Sequence, residues 1–435
     1  YLLDGTVAIP HLVGMRVVMP LILSLLALPP LALAGTPETA MRAAFGAACA
    51  KPDITAETLA AEAGLTSIAA EAITDGDRDV GWRRRFGDVD GGRLDMIRLS
   101  VIGVTRISAR YAVSAAEGER PVLAASAERD CEAIDARRMV YDADGVAETI
   151  ELLDRDFAPT GETVPVNPPV PSGDAKAGVV IALLDTGVNY LLPEIAGALA
   201  RNEEGRLVGY DYWDMDDRPF DANTAGSAFY PARHGTRVAS AVIGETSAAQ
   251  LAVYRYPMPE PDRIGALLDD VEDHHVHIAL VTVNGVNPDS WHAFESAARA
   301  HPEILFVVSA GNGGRDIDRS PQFPASLDIP NMVVVTGADG FGDPLPGANW
   351  GKRTVDVLVP AERVSVTDFD GSRVESSGPD IAAARVAGMA ADLLAADPSL
   401  TTDALHDAII GRASMVDTAG PLWVGYGVLD LAARF

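Results

Sequence analysis

Three short motifs put chemically capable side chains at the ends of apolar runs or just downstream of one. Val179-Val180-Ile181-Ala182-Leu183-Leu184 ends in Asp185-Thr186-Gly187, and His234-Gly235-Thr236-Arg237-Val238-Ala239-Ser240 follows. Further on, Leu305-Phe306-Val307-Val308-Ser309-Ala310 ends in Gly311-Asn312-Gly313. A carboxylate, an imidazole and a side-chain amide between them accept protons, hold protons and donate hydrogen bonds to developing charge. In open α/β sheets such groups collect at the carboxyl ends of strands, where ligands bind.

Those groups need a frame, and the chain after about residue 178 supplies one. Apolar runs at Val179 to Leu184, Ile278 to Val283, Ile304 to Val308 and Met332 to Val335 alternate with helical stretches. Runs of this kind are buried on both faces, which predicts a parallel sheet with helices on either side. Residues 35–160 have a different texture. Ala-rich helical segments (Thr39 to Ala50, Ala56 to Ile73) precede alternating segments such as Leu94 to Val101 and Arg106 to Val113. Asp144-Gly145 sits between two such segments and signals a hairpin. The prediction is a small α+β accessory domain with an antiparallel sheet. Pro159, Pro165, Pro168, Pro169 and Pro171 favour an extended spacer, set at 161–177. No internal repeat or low-complexity block interrupts this plan.

Composition narrows the function. The chain has 435 residues, 48% hydrophobic and 22% charged, as expected of a globular protein. Lys plus Arg number 34 against 62 for Asp plus Glu, a net charge of −28. That charge excludes nucleic acid and anionic membrane surfaces as partners, since both are repelled. Two cysteines exclude a disulfide scaffold, an iron–sulfur protein and a Cys-rich zinc fold.

Near the start, Met15-Arg16, the apolar run Val17 to Leu28 and Ala32-Leu33-Ala34 read as a cleavable signal peptide. Residues 1–14 then precede it as upstream sequence. Pro20, Pro29 and Pro30 cut the apolar run short of the ~20 residues that span a bilayer. The expectation is export to the periplasm or the extracellular space, with no membrane attachment after cleavage. In that oxidising space Cys49 and Cys131 either pair or remain two buried thiols.

Taken in order, the three motifs resemble the subtilisin-like serine proteases, the subtilase family. The resemblance spans Gly178 to Phe435. Gly209-Tyr210-Asp211, Phe323-Pro324-Ala325-Ser326, Val355-Asp356-Val357-Leu358-Val359-Pro360 and Gly425-Tyr426-Gly427-Val428-Leu429-Asp430 also look like segments of that family. It implies an α/β fold, a subtilisin-like doubly wound parallel sheet in a three-layer α/β/α arrangement. It also implies roles: Asp185 as the carboxylate that orients the imidazole, His234 as the base, and Asn312 as the oxyanion donor. Gly285 and Gly311 fall at its substrate-binding positions.

The same resemblance exposes a departure. Anchored on Val386-Ala387-Gly388, the family's Gly-Thr-Ser block falls on Gly378-Pro379-Asp380, and its later proline on Ala384. Asp380 therefore stands at the nucleophile position. Val283 stands where the family has a serine beside the primary specificity pocket. The expectation is a non-catalytic pseudoprotease that binds a peptide or partner protein and needs no cofactor. One alternative is an active extracytoplasmic serine endopeptidase using a displaced serine, Ser376 or Ser377. Another is a structural or assembly factor acting through the N-terminal domain. No metal is assigned. Asp185, His234 and Asp380 read as an ion-paired network, and His274, His275 and His277 as a helix-to-strand turn. Asp211, Asp214, Asp216, Asp217 and Asp221 read as a solvated acidic loop, with calcium as the alternative. Oligomeric state is left open.

Overall fold

The computed structural model describes residues 35–101, 104–115, 118–128, 131–414 and 423–431; the expected signal peptide lies outside them. Alternation along the strand Val179–Asp185 explains the main layers. Ile181 and Leu183 point into one apolar core, Ala182 and Leu184 into another on the opposite face. A strand that feeds two cores lies in the middle of a sheet covered on both sides.

That sheet has nine strands. In spatial order they are Gly209–Asp211, Ala249–Arg255, Val179–Asp185, Ile278–Val281, Leu305–Ser309, Met332–Ala338, Val357–Pro360, Gly427–Leu429 and Ala413–Ser414. All neighbouring pairs are parallel except the last, which is antiparallel. From Val179–Asp185 the chain runs to the edge strand Gly209–Asp211, returns through Ala249–Arg255 on the same side, then crosses to Ile278–Val281 on the other. This reversal opens a crevice at the carboxyl ends of those two strands.

One face is filled by the helix Pro379–Ala396, which buries six alanines and Gly388 beside Ile381, Val386, Met389, Leu393 and Leu394. Small residues let it lie close to the strands and to the helix Gly235–Glu245. Leu267, Leu268, Val271 and Phe294 cover the other face.

The N-terminal domain is an eight-stranded antiparallel meander, its strands in sequence order from Thr66–Asp75 to Pro159–Pro165. Helices Pro37–Ala50 and Ala56–Ala63 bury Met41, Phe45 and Leu59 against Phe86, Leu94, Met96 and Tyr111 on one sheet face. The hairpin at Asp144-Gly145 joins Ala136–Tyr141 to Ala147–Leu153 as expected. Two boundaries differ from the sequence expectation. The helix expected to reach Ile73 stops at Ala63, because Gly64 adopts a left-handed cap (φ 71°), and Thr66–Asp75 becomes a strand. The spacer expected from 161 begins later, because Thr163, Val164 and Pro165 pair with Glu151, Ile150 and Thr149. No disulfide joins Cys49 to Cys131; Cys49 Sγ donates to the Glu128 carbonyl at 3.6 Å.

The spacer and one loop fasten the two domains together. Asn167 donates to Asp216 at 2.6 Å, Tyr190 donates to the Pro168 carbonyl, and Arg201 to that of Pro171. Phe229, wholly buried, inserts among Ala124, Met139 and Ile150 of the N-terminal sheet. Arg137 donates to its carbonyl and Tyr230 donates to that of Asp135. Among the described residues no helix is long and apolar enough to cross a membrane.

Candidate active site

Asp185 ends its strand fully buried at the crevice. His234 stands beside it at the N-cap of the helix Gly235–Glu245. Their approach depends on Gly235, where a Cβ would fall 2.0 Å from the Gly187 carbonyl oxygen. With no side chain there, His234 Nδ1 comes within 2.9 and 2.8 Å of the two Asp185 oxygens. The Thr186 N–H donates to Asp185 Oδ1 at 2.6 Å, and the Thr282 hydroxyl donates to Oδ2.

A second buried carboxylate holds the loop that carries the histidine. Asp221 accepts from the hydroxyls of Thr186 and Thr236 and from the N–H groups of His234 and Thr236, at 2.6–3.1 Å. The Thr186 hydroxyl in turn accepts from the Gly235 N–H at 3.0 Å. Burial pushes the Asp221 carboxyl up; the two threonine hydroxyls and the His234 N–H oppose this, while the Asp185 charge adds to it.

Asp380 occupies the first turn of the helix Pro379–Ala396. Pro379 opens that helix, and Gly378 before it takes φ 137°, backbone that disfavours any other residue. Asp380 Oδ2 lies 3.4 Å from His234 Nε2 and accepts from the Asn312 amide at 3.1 Å. Asp380 Oδ1 is buried with no hydrogen-bond partner. Asn312 projects from an exposed turn, which Asn349 braces by donating to the Ala310 carbonyl.

The electrostatics follow from this placement. The Asp185 charge holds the His234 imidazole well above its ordinary 6.5; burial opposes this, while the bond to Asp185 and the nearby Asp380 add to it. Burial would raise Asp185, but the His234 charge and the bonds from His234, Thr282 and Thr186 bring it below 3.8. The His234 ring thus stands between two carboxyl groups, Asp185 at Nδ1 and Asp380 at Nε2, an arrangement that favours its protonated form.

The crevice brings together Asp185, His234, Asn312 and Asp380. Ser377 Oγ instead accepts from the Arg363 N–H at 2.8 Å, and Ser376 pairs with Val364 in a hairpin. Gly285 exchanges both main-chain bonds with Phe323 at 2.8 Å. Gly311, at φ 81°, makes room for Asn284, Gln322 and Asn349 beneath it. There Gln322 bridges Asn284 and Arg315, at 2.8 and 2.6 Å, so a linked polar network floors this part of the crevice. The acidic loop is not the solvated one expected: Asp211 and Asp221 are buried, and Arg255, ending the strand Ala249–Arg255, pairs with Asp211 at 2.7 Å and with Asp214.

Thr282 and Thr186 were not legible as functional in the sequence, and Asp221 was visible only as one acidic residue among several. The available signal was position, since Thr186 and Thr282 directly follow strand residues at the carboxyl edge.

The subtilase family (peptidase S8) pattern matches residues 176–427. The chain is 28% identical over 230 residues to a thermophilic serine proteinase of Bacillus sp. (strain AK1), covering 50% of this chain and 52% of that protein. It is 25% identical over 259 residues to alkaline serine exoprotease A of Vibrio alginolyticus, covering 56% and 44%. The chain thus spans about half the length of these curated relatives. The crystal structure of a cold adapted subtilisin-like serine proteinase matches with a TM-score of 0.48 at 23% identity, over 62% of this chain and 95% of that one. With more than half of its length matched by the family pattern, the chain belongs to the subtilase family.

Proposed function

We propose that this subtilase is a pseudoprotease, which holds a peptide or partner protein in its crevice without cutting it. A single geometric fact carries the proposal: the Asp380 carboxylate faces His234 Nε2 and also accepts the Asn312 amide. Serine peptidases need a hydroxyl at the first of these places and an empty oxyanion position at the second. A carboxylate attacking a peptide would form a mixed anhydride and expel an amine uphill. A ring whose protonated form is favoured on both sides is, moreover, a poor proton acceptor. Ser377 is held by Arg363 and Ser376 lies within a hairpin, which counts against a displaced nucleophile.

Two further expectations follow. Without a nucleophile the chain does not clip itself, so residues 35–160 stay covalently joined to the protease-like domain after signal removal. The apolar segment before Gly35 directs export, to the periplasm or beyond.

A fluorophosphonate probe tests the lost nucleophile directly, because it labels only activated hydroxyls. The expected result is no adduct under conditions that label an active subtilisin completely. An adduct mapped to Ser376 or Ser377 overturns the proposal. The double substitution Asp380→Ser with Pro379→Thr extends the test, and self-cleavage restored by it shows that the remaining machinery is competent.

A further inference from the structure

Away from the crevice, at the amino ends of the strands, the helix Ile264–Asp273 meets the turn that follows the helix His292–Ala300. His301 sits between them, 5% exposed. Its Nδ1 lies 2.8 Å from Glu272 Oε2 and 3.5 Å from Glu303 Oε1, yet forms no hydrogen bond with either. Glu303 Oε1 is itself buried and without a hydrogen bond. On the other side of the ring, Nε2 stands 3.3 Å from Asp269 Oδ1. Among the described residues these three, Glu272, His301 and Glu303, form the one group of potential ligand atoms close enough together to share a metal ion.

We propose that His301 Nδ1, Glu272 and Glu303 bind a divalent transition-metal ion of the zinc class, with the remaining position open to solvent. Three observations point the same way. First, an almost fully buried imidazole aims an unused nitrogen at two carboxylates, and burying such an atom without a partner is costly. Second, the spacing is close to that of a filled site. Zinc bonds of about 2.0–2.2 Å at tetrahedral angles separate neighbouring donors by about 3.4 Å. Glu303 already meets this distance. Glu272, whose side chain is 53% exposed, reaches it by a small rotation away from the ring. Third, Asp269 is placed to take the proton of Nε2, which leaves the lone pair on Nδ1 for the metal. A carboxylate behind a ligating histidine fixes the tautomer in just this way. Asp269 and Glu272 are three apart on one helix and so share a face. The nitrogen donor and small ligand set suit zinc or cobalt; calcium takes six to eight oxygens. A bound ion would tie that helix to the turn leading into the strand Leu305–Ser309.

The test uses the full chain, stripped with chelator and titrated with zinc by equilibrium dialysis and with cobalt by absorption spectroscopy. The expected result is one ion per chain and the visible absorption of tetrahedral cobalt. Glu303→Gln and Glu272→Gln, both on partly exposed side chains, abolish uptake. Asp269→Asn weakens it about 10–100-fold. Binding survives His234→Ala, which excludes the crevice, and survives the combined replacement of His274, His275 and His277 by Ala. Zinc raises the melting temperature of the parent chain but not of Glu303→Gln. No uptake by the parent chain, or uptake unchanged by Glu303→Gln and Glu272→Gln, overturns the proposal.

Discussion

The two walls of the crevice are built to different standards. On the histidine wall, both Asp185 oxygens are engaged, and Asp221 gathers four donors from the surrounding loop. On the opposite wall, one Asp380 oxygen is shared between Asn312 and His234 while the other is buried without a partner. The histidine wall is thus fixed by residues that the fold itself requires. The Asp380 wall is the first turn of a helix whose stability comes from Ala packing, and it tolerates a changed side chain there. A carboxylate in that turn is also favoured by the helix dipole. On the proposed pseudoprotease reading, a carboxylate in that turn leaves the scaffold whole, so the histidine wall stays ordered beside it.

Substitutions can break or sharpen this contrast. The largest effect is expected at Asp221: Asp221→Ala orphans the His234 and Thr236 N–H groups, each worth about 1–3 kcal/mol. Chemical denaturation should register the full loss, and a change below 1 kcal/mol would mean that the histidine wall is less constrained than its bonding implies. Gly235→Ala comes next. Its Cβ must displace the Gly187 carbonyl, so a loss of about 1–3 kcal/mol is expected by the same assay. Asp380→Asn should change stability by less than about 1 kcal/mol, since it removes an ion pair and an ill-satisfied buried charge together. The same substitution should lower the His234 pKa, because one of the two charges that raise it is gone; the imidazole resonances in an NMR titration report this.

The smallest expected signal is in the pH dependence of melting. An imidazole held above 6.5 when folded stabilises fully below pH 6.5 and loses that contribution as pH climbs through its folded value. Asp185, held below 3.8, contributes above pH 3.8 and loses its part as pH falls through its folded value. The difference in melting temperature between the parent chain and His234→Gln should therefore be level between those two values. It should shrink on the alkaline side; a difference that widens there contradicts the assigned ion pair.

The sheet and its strand ends are legible in the sequence for physical reasons. Strands buried on both faces show as unbroken apolar runs, so the parallel sheet and the ends carrying Asp185 and Asn312 were visible. Asp380 was visible because the Val386-Ala387-Gly388 anchor fixes a helix register. What escaped were interactions made by folding alone. Thr282 and Asp185 are far apart in sequence, and nothing local marks their bond. His301 carries no sequence signal because it stands alone, whereas the denser run His274, His275 and His277 forms no group of shared ligand atoms among the described residues. The helix expected to reach Ile73 failed on one residue, Gly64, whose left-handed turn outweighs the helical tendency of the alanines before it.

Peptide-bond hydrolysis by the full-length chain is the decisive measurement, run on casein and a panel of peptide esters beside His234→Ala. With a carboxylate before the imidazole, turnover should match that of His234→Ala, in line with the roughly 10⁶-fold loss that follows removal of the serine in a subtilisin. Hydrolysis clearly above that level, and abolished by His234→Ala, would contradict the account.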